Sequence, residues 1–263
     1  MLNSPDRTAR KIKNILITGA NGYLAQFIID RLRGEYALTL TDIVELDRAI
    51  AGTTFIKADV TNAAEIEAAC ANQDAVVHLV ALVRGRSDKP APLFADVMVK
   101  GTWNVAEACV KQGIQKLVNI SSISACPPAP GAKLPYEVDD DFQFGPGDLY
   151  YALAKYLGEQ IGAAYHQAHG LDVIHVRPGV IDGDGQNPGP AAPEVVTDPW
   201  FVYVDPRDVA QCVARAIEAK TVRYGAYNAV AGRADSRFAW KQAAEDLGYS
   251  PEHNWPEIPG DDT

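Results

Sequence analysis

The sequence is short of cysteine, of positive charge and of long apolar runs. Its four cysteines, Cys70, Cys109, Cys126 and Cys212, are scattered over 263 residues. They form no Cys-x-x-Cys pair and no Cys/His cluster with zinc spacing, which argues against a metal centre or a disulfide framework. Reduced thiols in a cytoplasmic protein are the expectation. Lys and Arg number 24 against 34 Asp and Glu, a formal net charge of −10. Nothing in that balance compensates phosphate charge, which argues against non-specific contact with nucleic acid or an anionic membrane. No stretch reaches the roughly 20 apolar residues of a membrane helix. The polar start Met1-Leu2-Asn3-Ser4-Pro5-Asp6-Arg7 has no apolar signal-peptide core, and residues 1–12 read as a mobile tail. Asp182-x-Asp184 resembles the start of a calcium loop. Asn187 stands where that loop needs Gly and Pro193 where it needs Glu, so no metal site is assigned.

What is present is an ordinary globular composition, 47% hydrophobic, of a length that suits one large α/β domain with a small appendage. Strand-like and helix-like runs alternate. Strands are expected at Ile15–Thr18, Ala37–Thr41, Thr53–Lys57, Ala75–Val80, Lys116–Ser121 and Asp172–Arg177. Helices are expected at 24–32, 63–71, 91–112, 148–169 and 206–219. The almost wholly apolar run Ala75-Val76-Val77-His78-Leu79-Val80 suits a parallel strand buried on both faces. Repeated βα units imply a Rossmann-type, doubly wound parallel sheet with ligands beyond the carboxyl ends of its strands. Residues 13–177 are assigned to that domain, with 205–219 returning to it. The Gly/Pro/Ala-rich stretch 178–203 reads as substrate-side loop. The segment from 221 is expected to form a small cap with the insertion 126–147.

The first strand runs directly into Thr18-Gly19-Ala20-Asn21-Gly22-Tyr23-Leu24-Ala25. A glycine turn between strand and helix aims backbone N–H groups and a helix N-terminus at one point, as a pyrophosphate requires. Packing alone also produces such turns. Asp42 stands 23 residues after Gly19, at the end of the second strand. A carboxylate there can accept both adenosine ribose hydroxyls and repel a 2′-phosphate, which favours NAD over NADP; the alternative is a helix cap. Asp59-Val60 ends the third strand, as an adenine-edge contact or a cap for the helix that follows. Tyr151-Ala152-Leu153-Ala154-Lys155 places a phenol and an ammonium on one helical face. The ammonium favours the phenolate, so Tyr151 is suited to proton transfer near neutral pH. Arg84, Arg86 and Lys89 follow the fourth strand, as an anion-binding cluster or as a solvated loop.

These motifs, together with His78-Leu79-x-Ala81, Ser121-Ser122, Arg177-Pro178 and Val204-Asp205-x-x-Asp208-Val209-Ala210, occur in the order found in extended-type short-chain dehydrogenase/reductases. The chain resembles that superfamily over roughly residues 14–220. The resemblance implies Ser122, Tyr151 and Lys155 as catalytic residues. Ser122 would hydrogen-bond the reacting oxygen, Tyr151 would exchange its proton, and Lys155 would hold the nicotinamide ribose. It implies NAD contacts at Gly19, Asn21, Gly22, Tyr23, Leu24, Asp42, Ile43, Asp59, Val60, Leu79, Ala81, Tyr151, Lys155 and Pro178. Arg84, Ser122, Ser124 and Tyr151 are the substrate candidates. His78 reads as a packed, hydrogen-bonded residue.

Departures from the family pattern carry information. Ile123-Ser124 replaces the acidic pair of sugar dehydratases, which argues against elimination chemistry. Cys126-Pro127 replaces a common Tyr-Gly pair, and Met98 stands where an Asn is usual. Little more than 80 residues follow Arg177, as in short uronate dehydrogenases. The expectation is an NAD-dependent dehydrogenase acting on a small polar substrate, a sugar or sugar acid. The alternatives are an NAD-dependent nucleotide-sugar epimerase and a non-catalytic NAD-sensing protein. The superfamily often dimerises through helices such as those at 91–112 and 148–169.

Overall fold

Ile15, Leu16 and Ile17 point alternately to the two faces of one strand, and all three are fully buried. That strand, β1 (Asn14–Thr18), is therefore covered by helices on both sides. Ile15 and Ile17 join a core with Leu24, Ile28, Leu32, Val209 and Val213. Leu16 joins the opposite core with Ile66, Val105, Leu117 and Val173. The computed structural model describes residues 11–46, 49–83, 88–181, 203–232 and 236–253.

After β1 the chain forms α1 (Tyr23–Leu32), β2 (Ala37–Asp42), β3 (Thr53–Lys57), α2 (Ala63–Ala69) and β4 (Ala75–His78). A continuous helical stretch follows: α3 (Ala91–Phe94), a π-helical segment (Ala95–Lys100) and α4 (Gly101–Lys111). Then come β5 (Lys116–Ile120), a 3₁₀ turn (Ile123–Ala125), α5 (Leu149–His169) and β6 (Asp172–Pro178). The described chain ends with β7 (Val180–Ile181), β8 (Tyr203–Val204), α6 (Pro206–Glu218), β9 (Tyr224–Ala229) and α7 (Lys241–Leu247). The main sheet has seven strands in the order β3-β2-β1-β4-β5-β6-β9. All its pairings are parallel, from Ile15 opposite Ala75 to Pro178 opposite Ala229. The order reverses between β1 and β4, and that switch point opens a crevice at the carboxyl ends of the strands.

The expected Rossmann-type architecture is present. Three details differ from the expectation. The fourth strand stops at His78, two residues early, where Leu79 N bonds to Thr18 O at 3.2 Å as the chain turns away. The long helix at 91–112 contains a π-helical segment. The third difference is β9: Tyr224–Ala229 extends the main sheet along β6 and does not belong to a cap. Its register is held by bonds such as Val173 N to Arg223 O and Gly179 N to Ala229 O. The insertion does meet the C-terminal segment further on. Tyr136 pairs with Phe238, their rings lie 5.3 Å apart, and Ala239 N bonds to Tyr136 O. Among the described residues no helix is long and apolar enough to cross a membrane.

Candidate active site

The glycine turn sits at the switch point. Gly19 has φ of 74°, and a Cβ there would lie 3.2 Å from Val80 N and 3.3 Å from the Leu79 carbonyl carbon. Only glycine suits both the conformation and the approach of the chain leaving β4. A Cβ on Gly22 would stand 3.0 Å from Gly19 O, the acceptor of Gly22 N. The N-terminus of α1 has no side-chain cap and no acidic residue in its first turn. A helix start left open in this way, beside a backbone without side chains, fits a pyrophosphate. Ala25 is fully buried, so α1 packs close against the sheet.

Asp42 closes the turn from the next strand. Its Oδ2 accepts from Asn21 N at 3.0 Å and its Oδ1 from Val44 N at 3.3 Å. The Asn21 side chain in turn donates to Val44 O and Glu45 O. The helix-cap alternative for Asp42 does not hold, because no described helix follows β2 directly. Each carboxylate oxygen retains a lone-pair site for a ribose hydroxyl. Ile43 and Val44 stay more than half exposed beside it, an apolar shelf at the outer end of the crevice. Tyr23 is part-exposed and packs edge-on against Phe27, while Leu24 turns into the core.

Asp59 is not the cap of α2. Asn62 is: its Oδ1 accepts from Ala64 N and Glu65 N, and Glu65 reaches back to Asn62 Nδ2 and Asp59 N. Asp59 instead braces its own turn by accepting from Thr61 N at 2.8 Å. Val60 is buried against Gly101, and its carbonyl accepts from Asn104 Nδ2. Its carbonyl is thus taken up within the fold.

Tyr151 and Lys155 lie one turn apart on the buried face of α5. Lys155 Nζ donates to Ile120 O, the last residue of β5, at 2.5 Å. It stands 5.8 Å from the centre of the Tyr151 ring. Burial pulls the lysine down to about 8, against the opposing charge of Glu159. Ser122 lies two residues beyond the end of β5 and is buried; its Oγ accepts from Ser124 N at 3.1 Å and starts the 3₁₀ turn. Ser122, Ser124, Tyr151 and Lys155 thus gather where β5 meets α5. Ala81 packs against the cluster formed by Phe94, Met98, Tyr151 and Ala154. Leu79 is half-buried and Pro178 buried at the ends of their strands. Arg84, Arg86 and residues 182–202, including Asp182 and Asp184, lie outside the described residues.

Met98 resolves the departure at the usual Asn position. It lies within the π-helical segment, 2% exposed, and its sulfur accepts from Leu82 N at 3.5 Å. The backbone carbonyl of Met98 accepts from Thr102 Oγ at 2.6 Å. That hydroxyl has spent its proton, so it accepts from His78 Nε2 at 3.1 Å, and Thr18 Oγ donates to His78 Nδ1 at 2.7 Å. The assignment follows from the network and makes His78 neutral. Burial, with a smaller push from Lys155, takes its pKa down to about 3. His78 therefore ties the glycine turn to the π-helical segment, as a packed histidine.

Two residues escaped a candidate role in the sequence: Glu159 and, beyond its place at a strand end, Arg177. They form a buried ion pair 2.7 Å long. Burial by itself would raise the Glu159 carboxyl, but the hydrogen bonds and charge of Arg177, with Ser121 and His175, hold it below its ordinary range. The signal was available: Glu159 repeats the spacing from Tyr151 to Lys155 and so shares their helical face.

A family model described as NAD dependent epimerase/dehydratase matches residues 15–198. The chain is 27% identical over 253 residues to the uronate dehydrogenase of Pseudomonas putida, covering 93% of this chain and 85% of that protein. It is 29% identical over 192 residues to the UDP-glucose 4-epimerase of Mycolicibacterium smegmatis, covering 66% of this chain and 58% of the epimerase. Its fold matches the crystal structure of uronate dehydrogenase from Agrobacterium tumefaciens with a TM-score of 0.78, at 21% identity and over 95% and 92% of the two chains. The glycine turn, the open start of α1 and the carboxylate at the end of β2 are the features such a cofactor needs. The chain belongs to the NAD-dependent epimerase/dehydratase family of oxidoreductases.

Proposed function

We propose that this chain is a dehydrogenase that interconverts a hydroxyl and a carbonyl on a small polar substrate, a sugar or sugar acid. The observation that supports the reading is the bond from Lys155 Nζ to Ile120 O at the carboxyl end of β5, two residues before Ser122 and with Tyr151 one turn away on the same buried helix face. The glycine turn would hold the pyrophosphate, and Asp42 the adenosine ribose. Bound NAD supplies the acceptor for a hydride from the substrate carbon. Tyr151, as phenolate, takes the hydroxyl proton as the carbonyl forms. The Lys155 ammonium stabilises that phenolate by charge, because an opposite charge nearby favours the ionised form. Ser122 donates to the reacting oxygen and orients it. In the reverse direction Tyr151 returns the proton.

The relatives bear unevenly on the choice between dehydrogenase and epimerase. The match to a uronate dehydrogenase runs through most of both chains, whereas the match to an epimerase spans little more than half of that protein. The turn Ile123-Ser124-Ala125 offers no acidic pair for elimination. The discriminating experiment is turnover with free NAD over aldoses, uronic acids, sugar phosphates and nucleotide sugars. A dehydrogenase accumulates NADH in step with oxidised sugar. An epimerase copurifies with NAD and changes sugar configuration with no net NADH, and that result would replace this reading.

A further inference from the structure

Glu159 and Arg177 are charged groups that the proposed chemistry leaves unused, although their side chains are only 4% and 8% exposed. Arg177 Nε donates to Glu159 Oε1 at 2.8 Å, and Nη2 donates to Oε2 at 2.7 Å. Ser121 Oγ donates to the same Oε1 at 2.5 Å. The guanidinium has further reach. Its Nη1 donates to Val138 O at 3.1 Å, and its Nη2 also lies 3.3 Å from Cys126 Sγ. One node therefore joins the exit of β5, the middle of α5, the end of β6 and two points of the insertion 126–147.

A buried ion pair is a poor way to add stability, because apolar residues of similar volume often do as well. What a guanidinium offers instead is direction: five N–H donors in a fixed planar fork. Here the fork's two ends face different partners. Nε and Nη2 grip the carboxylate, with Nη2 also reaching the Cys126 thiol, while Nη1 grips the irregular segment by the Val138 carbonyl. Every gripped element borders the site. Ser121 precedes Ser122, Glu159 follows Lys155 by one turn, and Cys126 begins the insertion just after the 3₁₀ turn.

We propose that Glu159 and Arg177 are positioning residues that hold Ser122 and the 126–138 segment in register with Tyr151 and Lys155, and so set how tightly substrate is taken. This rests on the dehydrogenase reading of the same site. The carboxylate acts through Ser121 on the adjoining serine, and the guanidinium acts on the wall of the substrate side.

The test compares the parent with Arg177→Lys and with the apolar pair Glu159→Met/Arg177→Leu. Lysine keeps a charge beside Glu159 but has no fork to reach Val138 O as well. In each variant urea stability, NAD affinity, kcat, KM and amide exchange across 126–138 are measured. The expected result is KM raised about tenfold or more by loss of charge-assisted hydrogen bonds, with exchange faster by a similar factor. NAD affinity stays as in the parent. Folded variants with parental KM and parental exchange would overturn the proposal, as would failure of both variants to fold, which would make the pair a folding requirement. Should the parent show no dehydrogenase turnover, the functional reading falls, while exchange across 126–138 still decides whether the pair holds that segment.

Discussion

At the end of β2, Asp42 has structural work besides its proposed contact with the cofactor ribose. It accepts from the amides of Asn21 and Val44 and so fastens the glycine turn to the neighbouring strand. Asp42→Ala is expected to weaken NAD by about tenfold, the cost of a lost charge-assisted hydrogen bond, and NADP by less. Equal losses in calorimetric titrations of the two cofactors would contradict the assignment. Lys155 permits a second prediction. Its folded pKa lies near 8, below the ordinary 10.5, because burial disfavours the ammonium. Between those values the unfolded chain binds the proton that the folded chain has released, so this group's contribution to stability rises with pH. Relative to Lys155→Met, the parent without NAD should gain up to about 1.4 kcal/mol per pH unit from pH 8 to 10.5. A pH-independent difference between the two urea curves would contradict it. At this scale, spacing revealed Tyr151 and Lys155 but not what the carboxylates bind. Asp59 and Asn62 are both good helix caps by residue type, and only the turn at Thr61 decides between them.

Among the elements, α5 combines three demands on one face. It presents Tyr151 and Lys155, it carries the Glu159 ion pair, and at Gly158 and Gly162 it lets the sheet come close. A Cβ at Gly162 would stand 2.5 Å from His175 Cε1 and 2.9 Å from Val173 Cγ1. Gly162→Ala is therefore expected to lose about 1–3 kcal/mol through overpacking, despite the better helix propensity of alanine. Unchanged or increased thermal stability would show that α5 can shift to make room. Apolar runs made most strands legible, and helical spacing the long helices. The π-helical segment was not legible, because its apolar positions continue the helical pattern on either side. Nor was β9. Its sequence Tyr224-Gly225-Ala226-Tyr227-Asn228-Ala229 mixes a glycine, a polar residue, the exposed Tyr224 and the buried Tyr227, as an edge strand can.

For the whole molecule, two buried histidines make the fold acid-sensitive. His78 is held near 3 and His175 near 4, both chiefly by burial. The unfolded chain takes up protons at these positions below about pH 6.5, where the folded chain refuses them. Stability is thus complete above that pH and falls as pH drops toward 4, by up to about 1.4 kcal/mol per unit for each group. His175→Gln should flatten that slope between pH 6 and 4 in urea titrations; an unchanged slope would remove His175 from the account. The sheet order explains why so much of the site converges. The reversal between β1 and β4 brings the glycine turn beside Leu79 and Val80, and β5 leads into the turn that begins at Ser122, beside α5. The central claim is that this arrangement performs hydride chemistry with Tyr151 as the proton carrier. It is tested most directly by NADH formation from NAD and a sugar or uronic acid substrate, in the parent and in Tyr151→Phe. The account predicts steady NADH formation in the parent and a loss of at least about a hundredfold in the variant, with NAD affinity and melting temperature retained. A Tyr151→Phe protein that forms NADH at the parental rate would contradict it.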